Sequence, residues 1–312
     1  MKKRTNDNFK KIKKRIRNDW ILYLLIMPVL SWYLIFCYLP ITGGLSLSFR
    51  NFRYDGGIWG SPFVGLEHFE KMLSDREFIR GVKNTMIISL GRIAFQMPCA
   101  IAVAILLNEV RKIGMRRFFQ TVITFPHFIS WVVLSGILMD IFGSSGIVNQ
   151  ILIKRGMESI SVLSSVSMFR PFIWLSGIWK EVGWDSIIYL AAITSIDPGL
   201  IEAAEVDGAG RFQRIWHITL PGIKGTIAIM LILAIGQVMT NGSFDQVFNL
   251  YSSSVYSVAD TLDTFIFRES FITGGLNFGY ASAIGLFKSV IGIIMITVSN
   301  KIATGLGEKG LY

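Results

Sequence analysis

The residues with the most definite chemistry lie in one stretch, from Asp197 to Pro221. Asp197 followed by Pro198 writes a helix start: a carboxylate acceptor at the N-cap, then a proline where its missing N–H costs nothing. The helix would run through Glu202-Ala203-Ala204-Glu205-Val206-Asp207 and break at Gly208-Ala209-Gly210. A second short helix is expected from Arg211 to His217, with Pro221 stopping it. Small Ala203 and Ala204 among charges would let another surface approach closely, so that the helix could lie in a partner's groove. The same residues equally suit a re-entrant or amphipathic loop helix packed on its own bundle. Either way the chemistry is docking rather than catalysis. No G-x-x-x-x-G-K-[ST] pattern occurs; Gly222-Ile223-Lys224-Gly225 and Gly307-Glu308-Lys309-Gly310 have the wrong order, so ATP would have to be held, with its Mg, by a partner. Three scattered histidines, with His127 and His217 far apart in topology, suggest neither a catalytic set nor a metal site.

A second set of polar groups sits inside apolar segments, where such groups are costly in lipid and usually face protein or water. Gln237, Asn241 and Asp245 recur at i, i+4 and i+8, which on one helix makes a single polar stripe. Trp174, Trp179, Trp184 and Tyr189 share one segment with Glu181 and Asp185. Aromatic faces suit sugar rings, and amides and carboxylates suit hydroxyls. Thus Trp179, Glu181, Trp184, Tyr189, Gln237, Asn241 and Asp245 are candidates for a solute pathway. The alternatives are bundle packing and interfacial anchoring for the aromatics, and contact with a second subunit for the stripe. Glu181 and Asp185 could instead pair with Lys180, Lys288 or a partner's residue. A basic lumen would suit acidic solutes, and Arg92 and Lys288 could contribute to one.

These residues are carried by long apolar blocks. Of 312 residues, 52% are hydrophobic and 17% charged, against roughly 45–50% and about 25% in soluble domains. At about 20 residues per crossing, six spans are expected, near 20–47, 82–107, 118–142, 171–196, 223–248 and 281–303. The first is uncharged for thirty residues, Trp20 to Phe49, well beyond a signal-peptide core of about 7–15, so it is expected to be a retained span. Cys37 and Cys99 fall inside apolar blocks and offer neither a disulfide framework nor a metal site.

The net charge of +10 is concentrated in an N-terminal arm, 1–19, with nine Lys and Arg in the first seventeen positions. Placed before a span, such an arm reads as an inside anchor that meets anionic lipid, rather than as a nucleic-acid surface. The 108–117 loop adds Arg111, Lys112, Arg116 and Arg117, and the 197–221 loop adds Arg211 and Arg214. The 143–170 and 249–280 loops are less basic for their length. Both termini, including a tail 304–312, are therefore expected in the cytoplasm.

Glu202-Ala203-Ala204, three residues, Gly208, nine residues, Ile218, one residue, Leu220-Pro221: this pattern resembles the signature of permease subunits of binding-protein-dependent ABC importers. Asn84-Thr85, Leu107-Asn108-Glu109, Phe125-Pro126-His127-Phe128-Ile129-Ser130-Trp131, Ile178-Trp179-Lys180 and Gly183-Trp184 are similar to the carbohydrate permeases, as are Tyr38-Leu39-Pro40 and Asp263-Thr264-Phe265. They are closest in kind to those handling larger oligosaccharides. The resemblance implies an all-α membrane protein with a six-helix, maltose-permease-like core and a cytoplasmic coupling helix in a bacterial cell membrane. It implies that Glu202, Ala203, Ala204, Asp207, Gly208, Ile218, Leu220 and Pro221 couple the chain to an ATPase. Its implied partners are a second, related permease, two ATPase subunits, an extracellular binding protein and an oligosaccharide. An ion-coupled secondary transporter is the rival reading; it often carries inverted repeats, and none is clear here.

Overall fold

A computed structural model describes residues 18–240, 243–272, 277–305, 307 and 310. The basic N-terminal arm and most of the tail lie outside these residues, as does Asn241. The described chain is helical apart from two isolated β-bridges, Arg50 with Phe63 and Arg53 with Gly57.

Two units divide the chain by its internal contacts, residues 1–69 with 277–283, and residues 70–276 with 284–312. In the first, α1 (Trp20–Tyr33) and α2 (Leu39–Leu47) are joined by a wide π turn, Leu34–Tyr38. This continuous helix keeps its apolar side chains uncovered all round, as a lipid-facing helix does. Beyond it, Arg50 ties the 48–66 segment together by donating to the carbonyls of Trp59 and Ser61, while His68 Nε2 donates to the Arg50 carbonyl at 3.0 Å. A short α3 (Gly57–Gly60) lies within this segment, and α4 (Glu67–Ser74) follows it.

The second unit is built on α5 (Arg76–Asn108) and α9 (Val166–Thr194), which share its most extensive helix pairing. Between them run α6 (Ile113–Thr124), a 3-10 turn (Phe125–Phe128), α7 (Trp131–Phe142) and α8 (Ile147–Lys154). After α9 come α10 (Pro198–Val206), α11 (Arg211–Arg214), a second π turn (Ile215–Thr219), α12 (Leu220–Gly222) and α13 (Lys224–Gly236). The chain closes with α14 (Phe244–Leu250), α15 (Tyr256–Ala259), α16 (Leu262–Phe271) and α17 (Phe278–Gly305).

Among the described residues, four helical stretches are long and apolar enough to cross a membrane: Trp20–Leu47, Arg76–Asn108, Trp131–Lys154 and Phe278–Gly305. The number rises to six if Val166–Thr194 with Pro198–Val206, and Arg211–Gly222 with Lys224–Gly236, each count as one span. Three expected spans, 20–47, 82–107 and 281–303, are single uninterrupted stretches of this kind. The expected third span, 118–142, is not one helix. Pro126 has no N–H to donate and Ser130 caps a new helix by accepting from Val133 N, so the chain turns between Phe125 and Ser130. The expected fifth span, 223–248, is also interrupted. Helix α13 ends at Gly236, and Ser243, before α14, holds a left-handed φ of 61°.

Both π turns precede a Leu-Pro pair, Leu39-Pro40 and Leu220-Pro221. A proline ring clashes with the carbonyl four residues back and supplies no N–H, and a wider turn relieves the clash. Pro221 therefore does not stop the second loop helix as expected. The helix continues to Gly222 and bends by 59° into α13.

Close approach of helices depends on a few glycines. A Cβ on Gly183 of α9 would lie 2.2 Å from the carbonyl oxygen of Ile123 in α6. A Cβ on Gly91 of α5 would meet the Trp174 ring, whose Nε1 donates to the Ile88 carbonyl at 3.1 Å.

A buried polar knot joins α5, α9 and α16. Asp260, with no exposed surface, accepts two bonds from Arg268 at 2.9 and 2.7 Å and one from Thr264 at 2.9 Å. Arg80 lies 3.8 Å away, and Asn84 bridges the Asp260 carbonyl to Arg170. Burial alone would lower the Arg268 pKa, but Asp260, then Glu77, outweigh it and hold the guanidinium above its ordinary value. Removing the carboxylate would leave the mostly buried Arg268 with Glu77 as its remaining bonded anion. Asp260→Ala is expected to destabilise the protein by about 3–5 kcal/mol, read as thermal unfolding in detergent against the exposed Glu158→Ala.

Candidate functional site

Two places in the second unit gather the residues picked out by type and spacing. The first is the 197–221 loop. The Asp197 carboxylate accepts from Gly199 N at 2.9 Å and Pro198 opens α10, as expected. Asp207 ends the helix at its C-cap, and Gly208 follows at φ 79°, a left-handed conformation that glycine adopts without steric cost. Ala209 N then reaches back to the Ala204 carbonyl at 2.9 Å, closing the turn. An ion pair between Glu205 and Arg214 fixes α10 against α11, and Gln213 Oε1 accepts from Gly210 N.

Glu202 and Ala203 lie on the exposed face of α10, and Ala204 is half-buried. Val206 is 87%, Phe212 80% and Trp216 66% exposed. Large apolar groups clustered on a charged loop mark an interaction surface. Ala204, Asp207, Gly208 and Ile218 line a hollow of about 300 Å³ in the crook of the loop. Leu220 and Pro221 lie beyond it, where the chain turns into α13.

The second place is a cavity of about 320 Å³ among α5, α9 and α13. Arg92, Gln96, Asp185, Tyr189 and Gln237 give it its polar lining, with Ser89 beside them. Gln96 donates to Asp185 at 2.6 Å, and Arg92 Nη2 donates to Gln246 Oε1 at 2.8 Å. Arg92 Nε and Gln96 Oε1 are buried with no hydrogen-bond partner among the described residues. A buried donor left open this way is costly unless something else completes it.

The other expected pathway residues are placed differently. Glu181 bonds Lys180 at 2.8 Å and His127 at 2.5 Å, away from the cavity lining. Trp184 stacks on His127 with ring centroids 4.3 Å apart, and Trp179 is exposed. Gln237 and Asp245 do not share one helix, because α13 ends before Gln237 and Asp245 is exposed in the first turn of α14, while Asn241 lies outside the described residues. Lys288 is neutralised by Asp263, so it adds no free charge. Ser89 and Gln96 were not singled out from sequence. Their spacing from Arg92, i−3 and i+4, is the helical repeat that marks a polar face and was available in the sequence.

The sequence pattern described as the binding-protein-dependent transport system inner membrane component matches residues 96–307. The chain belongs to that family. It is a multi-pass permease subunit of an ATP-driven ABC importer, with ATP hydrolysis in a separate subunit, and the secondary-transporter reading falls away. This permease is 41% identical to protein LplB of Bacillus subtilis (strain 168), over 95% of its own length and 92% of that protein. It is 40% identical to the polygalacturonan/rhamnogalacturonan transport system permease protein YteP of the same organism, over 93% and 90%. Among solved structures, it matches a bacterial alginate ABC transporter in complex with an alginate pentasaccharide-bound periplasmic protein. That match has a TM-score of 0.85 and 36% identity, over 96% of this chain and 99% of that one.

Proposed function

We propose that this permease conducts fragments of an acidic polysaccharide, delivered by an extracellular binding protein, and that the 197–221 loop couples it to the ATPase. The full-length likeness to the alginate transporter carries the substrate reading, and the relative whose name gives polygalacturonan and rhamnogalacturonan agrees with it. Within the cavity, Arg92 offers a buried, unpartnered Nε–H, a donor that forms strong charge-assisted bonds to a carboxylate. Asp185 and Gln96 beside it suit sugar hydroxyls.

In this reading Glu202 anchors α10 to the ATPase, Ala203 and Ala204 allow close contact, and Gly208 makes the turn. Closure of an ATPase dimer around ATP and Mg would move α10 and α11 together, because Glu205 and Arg214 bind them to each other. The bundle would thereby rock between inward-open and outward-open states. A second, related permease supplies the rest of the pathway, two ATPase copies drive it, and both termini of the chain face the cytoplasm.

The test is the complete transporter in lipid, with its binding protein, assayed for substrate-stimulated ATP hydrolysis. Uronate oligosaccharides should stimulate it and reduced, uncharged counterparts should not; equal stimulation by both would overturn the acidic assignment. Arg92→Gln should raise the KM for the acidic substrate at least about tenfold, the loss expected for one charge-assisted contact.

A further inference from the structure

The hollow in the crook of the 197–221 loop presents a particular set of hydrogen-bonding atoms. His217 is bonded through Nδ1 to the Gln213 carbonyl at 2.9 Å. A carbonyl can only accept, so Nδ1 carries the proton, and in the neutral ring Nε2 is left as an acceptor. Asp207 adds a carboxylate at the mouth of the same hollow. Arg214, which also lines the hollow, is paired with Glu205, and Arg211 lies 3.9 Å from Glu109. No Lys or Arg occurs between Asp197 and Gly210, whereas Glu202, Glu205 and Asp207 do. The C-terminal end of α10, with its partial negative charge, borders the hollow as well. Asp207, His217 Nε2 and the carbonyl end of α10 are the acceptors that face this hollow.

Size narrows the occupant further. About 300 Å³ is the bottom of the range for sites that hold small molecules, roughly 300–1,000 Å³, and suits one long side chain. Ala204, Ala209 and Ile218 in the lining supply apolar surface for the stem of such a side chain.

We propose that this hollow receives a lysine or arginine side chain of the ATPase subunit, so that the permease is also a socket and does not act only as an inserted helix. The proposal rests on the coupling reading above and adds a second, reciprocal contact, distinct from Glu202. The occupant's cationic head meets Asp207 and His217 Nε2, and its stem lies along Ala204, Ala209 and Ile218. The contact holds α10 and α11 to the ATPase at their junction, where a pull on either is passed to the other.

The experiment uses the assembled transporter with a diazirine amino acid at Ala209, photolysed and mapped by mass spectrometry. A parallel sample carries the same group at Leu200, on the α10 face outside the hollow. The expected result is an adduct from Ala209 on an ATPase peptide that contains a lysine or arginine. Asp207→Lys should then lower substrate-stimulated hydrolysis at least about tenfold, and reversing the mapped base to glutamate should restore it. Adducts from Leu200 but none from Ala209 to the ATPase would overturn the socket and leave the coupling reading intact. An Ala209 adduct on an acidic or wholly apolar segment would also overturn it. Absence of ATPase adducts from both positions would remove the coupling reading together with the socket.

Discussion

Glu202→Lys should cut ATP-driven uptake and substrate-stimulated hydrolysis at least about tenfold while the complex still assembles. Glu202 is exposed on α10 and its carboxylate makes no bond within the described chain. Reversing its charge therefore leaves the permease fold alone and acts only where another protein meets the helix. The neighbouring Glu205 behaves differently, because it is bonded to Arg214; a change there also loosens α10 from α11. The measurement is uptake and hydrolysis in proteoliposomes after confirming subunit stoichiometry. Normal uptake by an intact complex would take Glu202 out of the coupling contact. The expected loss is large because a charged group buried between proteins costs more when wrongly paired than its bond contributes when rightly paired.

The second large effect is expected at Gly183. An alanine there would bring Cβ to 2.2 Å from the oxygen and 2.4 Å from the carbon of the Ile123 carbonyl, and to 2.7 Å from Thr124 N. These are backbone atoms, and they cannot swing aside as a flexible side chain does. Helix α6 must separate from α9, at a cost at or above the usual 1–3 kcal/mol of overpacking, roughly. The separation also reaches the polar cluster beyond it. Glu181 and Trp184 flank Gly183, while His127 follows Ile123 on the displaced segment, so both the 2.5 Å His127–Glu181 bond and the ring stack would be strained. Gly183→Ala should lower the unfolding temperature in detergent and change the tryptophan emission. Gly285 of α17 is the control, because nothing among the described residues lies within 4 Å of a Cβ built there. Gly285→Ala should be neutral or slightly stabilising, as expected for a helix-interior glycine. If the two variants melted alike, the close packing of α6 on α9 would be refuted.

Much of this was legible in the sequence, and what was legible was local. Asp197-Pro198 and Gly208 specify their own backbone, through a cap, a fixed φ and a left-handed turn, and each is found as expected. The three long apolar helices were readable because length and composition alone define them. The breaks inside the expected third and fifth spans were not, because hydropathy is blind to a chain that turns while remaining apolar. Phe125-Pro126-His127-Phe128 is as greasy as a helix, yet it is a 3-10 turn. The cavity was harder still. Gln96 and Asp185 are 89 residues apart, and Arg92 and Gln246 are 154 apart. No window along the sequence brings them together; only the pairing of α5 with α9, and of α14 with both, does. Gln237 and Asp245 are separated for the converse reason, since a period of four means one face only while a single helix continues.

The two π turns carry a consequence for how the chain tolerates changes in length. Each holds one residue more than an α-helical turn needs. Losing a residue between Ile215 and Thr219 would close the turn to ordinary α-helix and leave α13 in its present phase. Losing one inside α9 would rotate every later side chain of that helix by about 100°, carrying Asp185 and Tyr189 off the cavity. A one-residue deletion is therefore expected to be absorbed at Leu34–Tyr38 and Ile215–Thr219, next to the prolines that create the slack.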